Sequence, residues 1–426
     1  MKLIERILSS ENVIKAQSRV ISNKGGAGID GMHVDELNEF MRTNWDGIKE
    51  SILVRKYKPA PVRRVEIPKP NGGVRKLGIP TVLDRTIQQA IVQVLSPIFE
   101  NEFQDHSYGF RPCRSCEQAV LKLLEYLNEG YDWIVDIDLE KFFDHVPQDK
   151  LMSYVGRVIR DPDTESLIRK YLKSGVMENG IYEATTEGTP QGGNLSPLLS
   201  NVMLNELDKE LLSRGLHYIR YADDCIIAVG SEASAKRVMR NITAWIEREL
   251  GLKVNASKSH ICRPIKLKYL GFGFYRNSQT GQWQSRPHES SVSKLERTLK
   301  KLCKRSWSIS MTDRITRLNY VTRGWINYFS ISFMKSKMEK IDERLRTMLR
   351  KVIWKQWKTP QKRAWGLRKL GVDSDLARRT SFCGDRYEWV VRRTCVTRAI
   401  SKDVFTRRGL VSCLDYYLIR HSFKTN

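Results

Sequence analysis

The sequence predicts an α+β fold: an antiparallel sheet assembled among helices, followed by a helical and strongly basic C-terminal region. Three observations predict it. Short apolar, β-prone runs bounded by turn residues occur near 61–80, 133–137, 218–230 and 269–275. Beyond residue 290 the apolar spacing becomes helical, with Leu295, Leu299 and Leu302 on one face and Ile341, Leu345 and Met348 on another. Charge changes at the same place: residues 286–426 hold 34 basic and 12 acidic side chains, whereas 1–285 are nearly balanced.

Taken in order, residues 1–60 read as helices interrupted by a glycine-rich loop, Asn23 to Gly31. Four glycines in nine residues let backbone approach a ligand closely. Val65, Ile67, the turn Pro70-Asn-Gly-Gly73, then Val74 and Leu77 read as a β-hairpin. Helices are expected over 84–130 and 147–175. The loop Thr189 to Pro197 is broken by Gly and Pro and leads into a helix from about 198 to 213. A strand pair around Asp223–Asp224 follows, then a helix over 232–250. Further short strands are expected at 251–258 and 269–275. Domain borders are expected at 285, where the charge changes, and near 365, after Pro360.

A chain of 426 residues with 73 Lys+Arg against 48 Asp+Glu carries a formal charge of +25. Residues 286–370 hold 23 basic and 6 acidic side chains, and residues 371–426 are more weakly basic. Trp307, Trp325, Tyr328, Phe329, Trp354, Trp357 and Trp365 are interleaved with this charge. Cations neutralise phosphates, and aromatic rings stack on bases or fill a core. So dense an excess points to a polyanionic partner rather than to solubility alone. No apolar run is long enough to span a bilayer, and no amphipathic anchor accompanies the charge, which argues against a membrane partner. The N-terminal ten residues carry charge where a signal peptide needs an apolar core, so a cytoplasmic protein is expected. The eight cysteines include one C-x-x-C pair, Cys113 and Cys116. No second pair completes a zinc site, and reduced thiols are expected.

The chemistry is signalled by carboxylates. Asp223 and Asp224 lie between apolar strands, at the tip of a tight turn. Adjacent carboxylates repel, and desolvating them is costly unless a cation compensates; Mg²⁺, with Mn²⁺ as a substitute, suits such a site. Asp136 and Asp138 share one face of the strand that begins at Trp133. One long-range pairing of the two segments would gather three carboxylates, the arrangement that holds two metals for in-line phosphoryl transfer. Whether Asp136 is a ligand or a neighbour stays open.

The order of these motifs resembles bacterial group II intron-encoded reverse transcriptases, or maturases, of the compact type without a C-terminal endonuclease. The resemblance covers about residues 20–360. It rests on the Ile67-Pro-Lys-Pro70 segment, His106-Ser-Tyr-Gly-Phe-Arg-Pro112, Asp138-Leu-Glu-Lys-Phe-Phe-Asp144, Gly188-Thr-Pro-Gln-Gly-Gly193 and Tyr221-Ala-Asp-Asp224. Leu270-Gly-Phe-Gly-Phe274 and Gly324-Trp-Ile-Asn-Tyr-Phe329 complete it.

The resemblance implies a right-hand polymerase. Fingers and an antiparallel-sheet palm would occupy 1–285, a helical thumb or maturase domain 286–365, and a small DNA-binding-like region 366–426. It implies a primer extended with dNTPs on an RNA template, Asp138, Asp223 and Asp224 as ligands of two Mg²⁺ ions, and the Leu139 carbonyl as a further ligand. Phe143 would pack on the incoming sugar and exclude a 2′-hydroxyl. Lys69 and Arg75 would grip the triphosphate, and Pro190, Gln191 and Gly192 would lie beneath the nascent base pair. Lys258 would protonate pyrophosphate. Asn23, Gly25, Ile29 and Arg63 would meet the template, and Leu270, Gly271, Phe272 and Gly273 the primer end. Arg323, Lys335, Lys337, Lys351 and Lys355 would bind intron RNA for splicing. Target DNA would be a further partner, in support of retromobility, with no cleavage of it by the protein itself. The chain would act as a monomer or homodimer. The alternatives are a non-catalytic splicing cofactor and a domesticated relative in DNA repair or defence.

Overall fold

The β-prone runs and the helical repeats fold as their periodicities dictate, and the computed structural model describes residues 2–68, 72–178, 180–189 and 192–425. Two compact units emerge, Met1–Arg263 and Pro264–Asn426. The border expected at 285 therefore differs from the division in packing: strands between 268 and 287 pack with the C-terminal helices. The tail expected to stand apart from 366 also packs within the second unit, through contacts of the helix Cys413–Thr425 with Met311–Phe329 and Lys335–Gln356.

In the first unit, helices Leu3–Ile7 and Ser10–Ser22 precede the glycine-rich loop and helix Leu37–Leu53 follows it. Strands β1 (Val62–Pro68) and β2 (Val74–Ile79) form the expected hairpin, in register from Arg63 opposite Ile79 to Pro68 opposite Val74. Strand β3 is Trp133–Ile137. A short hairpin, β4 (Val176–Glu178) and β5 (Ile181–Glu183), extends the first sheet to the order β2-β1-β4-β5. The sequence reading missed it because three-residue strands carry too little periodicity to register.

The central sheet has the order β6-β7-β3-β8, with β6 at His217–Tyr221, β7 at Asp224–Val229 and β8 at His260–Cys262. All of its pairings are antiparallel. Its inner face packs on helices Val82–Glu100 and Ser196–Ser213. Ile91, Leu95, Met203, Leu207, Val135 and Ile227 are all fully buried. The helix Glu232–Trp245 continues through a π-helical turn to Leu250 and stops at Gly251, whose φ of +69° suits glycine. Residues 251–258, expected as a strand, form a loop with a single bridge, Leu139 to Val254.

In the second unit, β9 (Lys268–Tyr269), β10 (Phe272–Arg276) and β11 (Trp283–Pro287) form a three-stranded meander. Helices Glu289–Leu302, Met311–Phe329 and Lys335–Gln356 follow. Leu295, Leu299, Ile341 and Leu345 are buried, as their spacing requires. The break near Pro360 is observed: one helix ends at Gln356, and Thr359 caps the next, Pro360–Lys369, by accepting from the Lys362 N–H. Trp354 is fully buried and Phe329 nearly so, whereas Trp365 is exposed, so the interleaved aromatics divide between core and surface.

Candidate active site

The carboxylates meet because of strand register. Asp136 pairs with Ile226 and Ile137 with Cys225, so Asp138 follows at the end of the sheet where Asp224 begins β7. Tyr221 pairs with Asp224, leaving Ala222 and Asp223 as a two-residue turn. Ala222 has a φ of +58°, a left-handed conformation that its surroundings must hold.

Arg220 holds it. This side chain is fully buried and spends its donors on the turn and its support. Nη1 donates to the Ala222 carbonyl (2.8 Å) and to Asn201 Oδ1 (3.0 Å), and Nη2 donates to Ser107 Oγ (2.7 Å). Nε and Nη2 form a forked pair with the equally buried Asp208, at 2.6–3.0 Å. The 106–112 motif closes the bracket. Arg220 donates its N–H to the His106 carbonyl, and Tyr108 donates its N–H to the Arg220 carbonyl. A Cβ on Gly109 would lie 2.2 Å from the Ala222 nitrogen, so only glycine fits. The sequence reading missed Arg220 and Asp208. The available signal was a lone cation inside the apolar run Tyr218-Ile-Arg-Tyr221, which implies a buried acid.

The acids feel one another. Asp224 is exposed as a residue, yet desolvation of its carboxyl, then the charges of Asp223, Asp136 and Asp138, push it up to about 6. Burial, reinforced by Asp138, likewise pushes Asp136 up to about 6, while His260 opposes the shift. Asp136 is thus an electrostatic member of the cluster. Lys258 Nζ lies 3.1 and 3.2 Å from the two Asp138 carboxylate oxygens. Leu139 is buried and bridged to Val254.

Among the described residues, no three Asp, Glu, His or Cys groups already stand close enough to hold a metal ion. The chemistry of the donor set nonetheless fits a hard divalent cation. The donors are carboxylate oxygens, and burial, reinforced by the charges of their neighbours, raises the pKa values of two of them, a cost that a bound cation would relieve. Asp138, Asp223 and Asp224 are the residues that would hold it.

Phe143 lies in the short helix Phe142–His145 and lines a 310 Å³ cleft with Arg64, Lys76, Gly188 and Thr189. Thr189 donates its N–H to the Phe143 carbonyl at 2.7 Å. Gly192, at φ +120°, packs so tightly on β2 that a Cβ would lie 2.4 Å from the Gly78 carbonyl oxygen. Lys69, Pro190 and Gln191 lie outside the described residues. Arg75 is exposed on β2 opposite Ile67. The cations that line the Phe143 cleft are Arg64 and Lys76, both paired with Glu178. Alternation along the strands puts Arg75 on the other face of the hairpin.

The glycine-rich loop is fastened to the hairpin and to the helix behind it. Arg63 Nη2 donates to the Ala27 carbonyl (2.7 Å), and Arg85 Nη2 to the Gly26 carbonyl (2.7 Å). A Cβ on Gly25 would meet the Arg85 guanidinium at 2.1 Å. Asn23 ends the preceding helix and is exposed, as is Ile29.

The remaining predicted residues belong to the second unit. Leu270 (φ +48°) and Gly271 (φ +82°) make the β9–β10 turn. Tyr328 Oη donates to the Leu270 carbonyl and Ser291 Oγ to that of Gly271. Phe272 is buried against Tyr328 and Phe329, and Gly273 pairs with Lys268. The five thumb cations do not converge. Arg323 lines a 960 Å³ cleft beside Leu270 and Tyr320. Lys351, paired with Glu388, lines a 1110 Å³ cleft with Arg297, Lys300, Lys304 and Arg350. Lys355 lines a third cleft, with Trp307 and Arg363. Lys335 is exposed, and Lys337 is half-buried with its ammonium pKa lowered by burial and then by Arg286.

Comparison with known proteins fits this geometry. Residues 67–274 match the family model for reverse transcriptase (RNA-dependent DNA polymerase), and residues 292–371 match the group II intron maturase-specific domain. Protein YkfC of Escherichia coli is 33% identical over 300 residues, which are 61% of this chain and 79% of YkfC. The group II intron-encoded protein LtrA of Lactococcus lactis is 38% identical over 226 residues, 53% of this chain and 37% of LtrA. A COX1/OXI3 intron 2 protein of Saccharomyces cerevisiae is 29% identical over 349 residues, and the chain spans 39% of it. The chain thus spans well under half the length of those last two relatives. Truncated apo telomerase of Candida tropicalis superposes with a TM-score of 0.43 at 13% identity, over 57% of this chain and 60% of that one. No helix among the described residues is long and apolar enough to cross a membrane. With both family models matched in order and four-fifths of YkfC covered, the chain belongs to the group II intron-encoded reverse transcriptases and maturases, and carries an RNA-directed DNA polymerase domain followed by a maturase-specific domain.

Proposed function

We propose that the protein extends a primer with dNTPs on an RNA template and also binds the intron RNA to promote splicing. The observation that supports the polymerase most is the gathering of Asp136, Asp138, Asp223 and Asp224 at one end of the central sheet, with two of them pushed up to about 6. Mg²⁺ bound there would lower the pKa of the attacking 3′-hydroxyl and neutralise charge on the phosphates. Asp138, Asp223 and Asp224 would hold the metal, with the Leu139 carbonyl as a further ligand, and Lys258 gives a proton to the leaving pyrophosphate. Phe143 excludes the ribose 2′-hydroxyl. Lys69 and Arg75 supply cations to the triphosphate, and Pro190, Gln191 and Gly192 support the new pair. Asn23, Gly25, Ile29 and Arg63 track the template, and residues 270–273 the primer end.

Residues 1–285 act as fingers and palm, 286–365 as thumb, and 366–426 as a contact for target DNA. The basic clefts of the second unit suit RNA phosphates: the 1110 Å³ cleft is lined by Arg297, Lys300, Lys304, Arg344, Arg350 and Lys351 among others, against Glu343 and Glu388.

The test is primer extension on an RNA template with dNTPs and Mg²⁺, comparing wild type with the Asp223→Asn/Asp224→Asn double variant while RNA affinity is measured in parallel. Full-length DNA from wild type only, with equal RNA affinity, supports both halves. No product from either protein, with tight RNA binding retained, would replace the polymerase by an RNA-folding cofactor. A collapse of RNA binding in the double variant would undo the division of labour between palm and basic region.

A further inference from the structure

We infer that Ser259 is a positioning residue for Asp138: its hydroxyl fixes the main chain of the metal-binding aspartate and ties it to the loop that carries Lys258. The inference rests on the polymerase reading of the carboxylate cluster.

Asp138 lies one residue beyond β3, where the ladder no longer satisfies its peptide groups, and those groups need partners. Ser259 supplies two bonds to the same residue. Its Oγ accepts from the Asp138 N–H at 3.0 Å and donates to the Asp138 carbonyl at 3.3 Å. The Asn255 N–H donates to that carbonyl at 2.8 Å. The next residues are lashed to the same loop, by Leu139 bridged to Val254 and by the Glu140 N–H donating to the Lys253 carbonyl.

The loop is itself braced. Asn255 Oδ1 accepts from the Ser257 N–H and hydroxyl, and the Asn255 carbonyl accepts from the N–H groups of Lys258 and Ser259. Its far end is anchored in β8, where His260 pairs with Asp136 and Cys262 with Ile134. Lys258, the residue before Ser259, places its ammonium on the Asp138 carboxylate. One short loop therefore sets both the backbone of the aspartate and the cation facing its side chain. A hydroxyl suits the task because it donates and accepts at once, on a side chain small enough to sit half-buried under the peptide. Removing such an outer partner of a ligating carboxylate typically costs about 10–100-fold in metal affinity or activity.

The test compares wild type, Ser259→Ala, Ser259→Thr and, as reference, Asp138→Asn. Free Mn²⁺ is titrated by electron paramagnetic resonance, and the Mg²⁺ concentration for half-maximal primer extension is measured alongside. Ser259→Ala is expected to weaken Mn²⁺ binding about tenfold and to raise the Mg²⁺ midpoint in the same sense. Ser259→Thr, which keeps the hydroxyl, should stay within about twofold of wild type on the same scale. A purely structural turn would lower the melting temperature and leave Mn²⁺ affinity unmoved, and that result overturns the inference. Should Ser259→Ala fail to fold, Ser259→Cys keeps the volume, weakens both bonds and is read the same way. If Asp138→Asn bound Mn²⁺ and extended primers as wild type does, the carboxylate site itself would be misassigned. If only Ser259→Ala were silent, the site would stand and the role of Ser259 would fall.

Discussion

Replacing Asp208 by Asn perturbs the support of the Ala222–Asp223 turn without touching any of the carboxylates proposed to hold metal. Asp208 and Arg220 are both fully buried, joined by a forked pair of bonds, and no other acid shares the Arg220 fork among the described residues. The amide keeps the shape and one acceptor oxygen but removes the charge and puts an NH2 donor where the other acceptor stood, leaving the guanidinium uncompensated. Breaking a buried pair on one side costs about 3–5 kcal/mol. At roughly 2–4 °C per kcal/mol for a domain of this size, the unit Met1–Arg263 should melt about 6–20 °C lower. Thermal unfolding by circular dichroism reads this directly. Primer extension at a temperature where the variant is still folded should fall as well, because the same guanidinium holds the Ala222 carbonyl. The double variant Asp208→Leu/Arg220→Met should recover much of the stability, since an apolar pair can replace a buried ion pair. It should not recover extension, because the bond to Ala222 stays lost. Melting of Asp208→Asn within about 2 °C of wild type, a shift worth at most about 1 kcal/mol, would refute the reasoning.

Four further outcomes are expected. Gly109→Ala forces a Cβ against the Ala222 nitrogen, so it should cost about 1–3 kcal/mol and depress extension while RNA affinity holds; unaltered extension would show that the turn tolerates displacement. Phe143→Ala should raise ribonucleotide incorporation relative to deoxynucleotide by up to about 10²-fold in competition assays, and an unchanged ratio would remove the steric role of the ring. Buried Asp84 accepts from Tyr57, Tyr171, Thr81 and the Ala60 N–H, and burial raises its pKa despite those donors. Its contribution to stability is therefore complete below the ordinary carboxylate pKa and is lost as pH rises through the raised one. The deficit of Asp84→Asn relative to wild type should shrink as pH increases, and a deficit that grew would mean the four donors hold the carboxylate ionised. Lys300→Ala and Lys304→Ala should each reduce the slope of log affinity for RNA against log salt by about 0.7–0.9, read by filter binding, and an unchanged slope would exclude the 1110 Å³ cleft as a phosphate track.

The sequence by itself determined the elements and their chemistry. Short apolar, β-prone runs bounded by turn residues at 62–79, 133–137 and 217–229 marked the strands, and the i, i+4, i+7 spacing from Leu295 and from Ile341 marked the helices, because strand length and helical period follow from backbone geometry. Adjacent acids in an apolar hairpin and the charge of the C-terminal third pointed to a metal-assisted reaction on a polyanion, since composition fixes charge before folding does. Only the tertiary structure decided which residues support that chemistry. Asp208, Asn201 and Ser107 converge on Arg220 from sequence distances of 12 to 113 residues, and Ser259 reaches Asp138 from 121 residues away. A buried ion pair or a hydroxyl between two peptide groups leaves no periodic trace, because its partners are chosen by register and packing rather than by neighbours in the chain. Strand pleat likewise decided that Arg64 and Lys76, rather than Arg75, line the cleft beside Phe143: one residue along a strand turns a side chain to the opposite face.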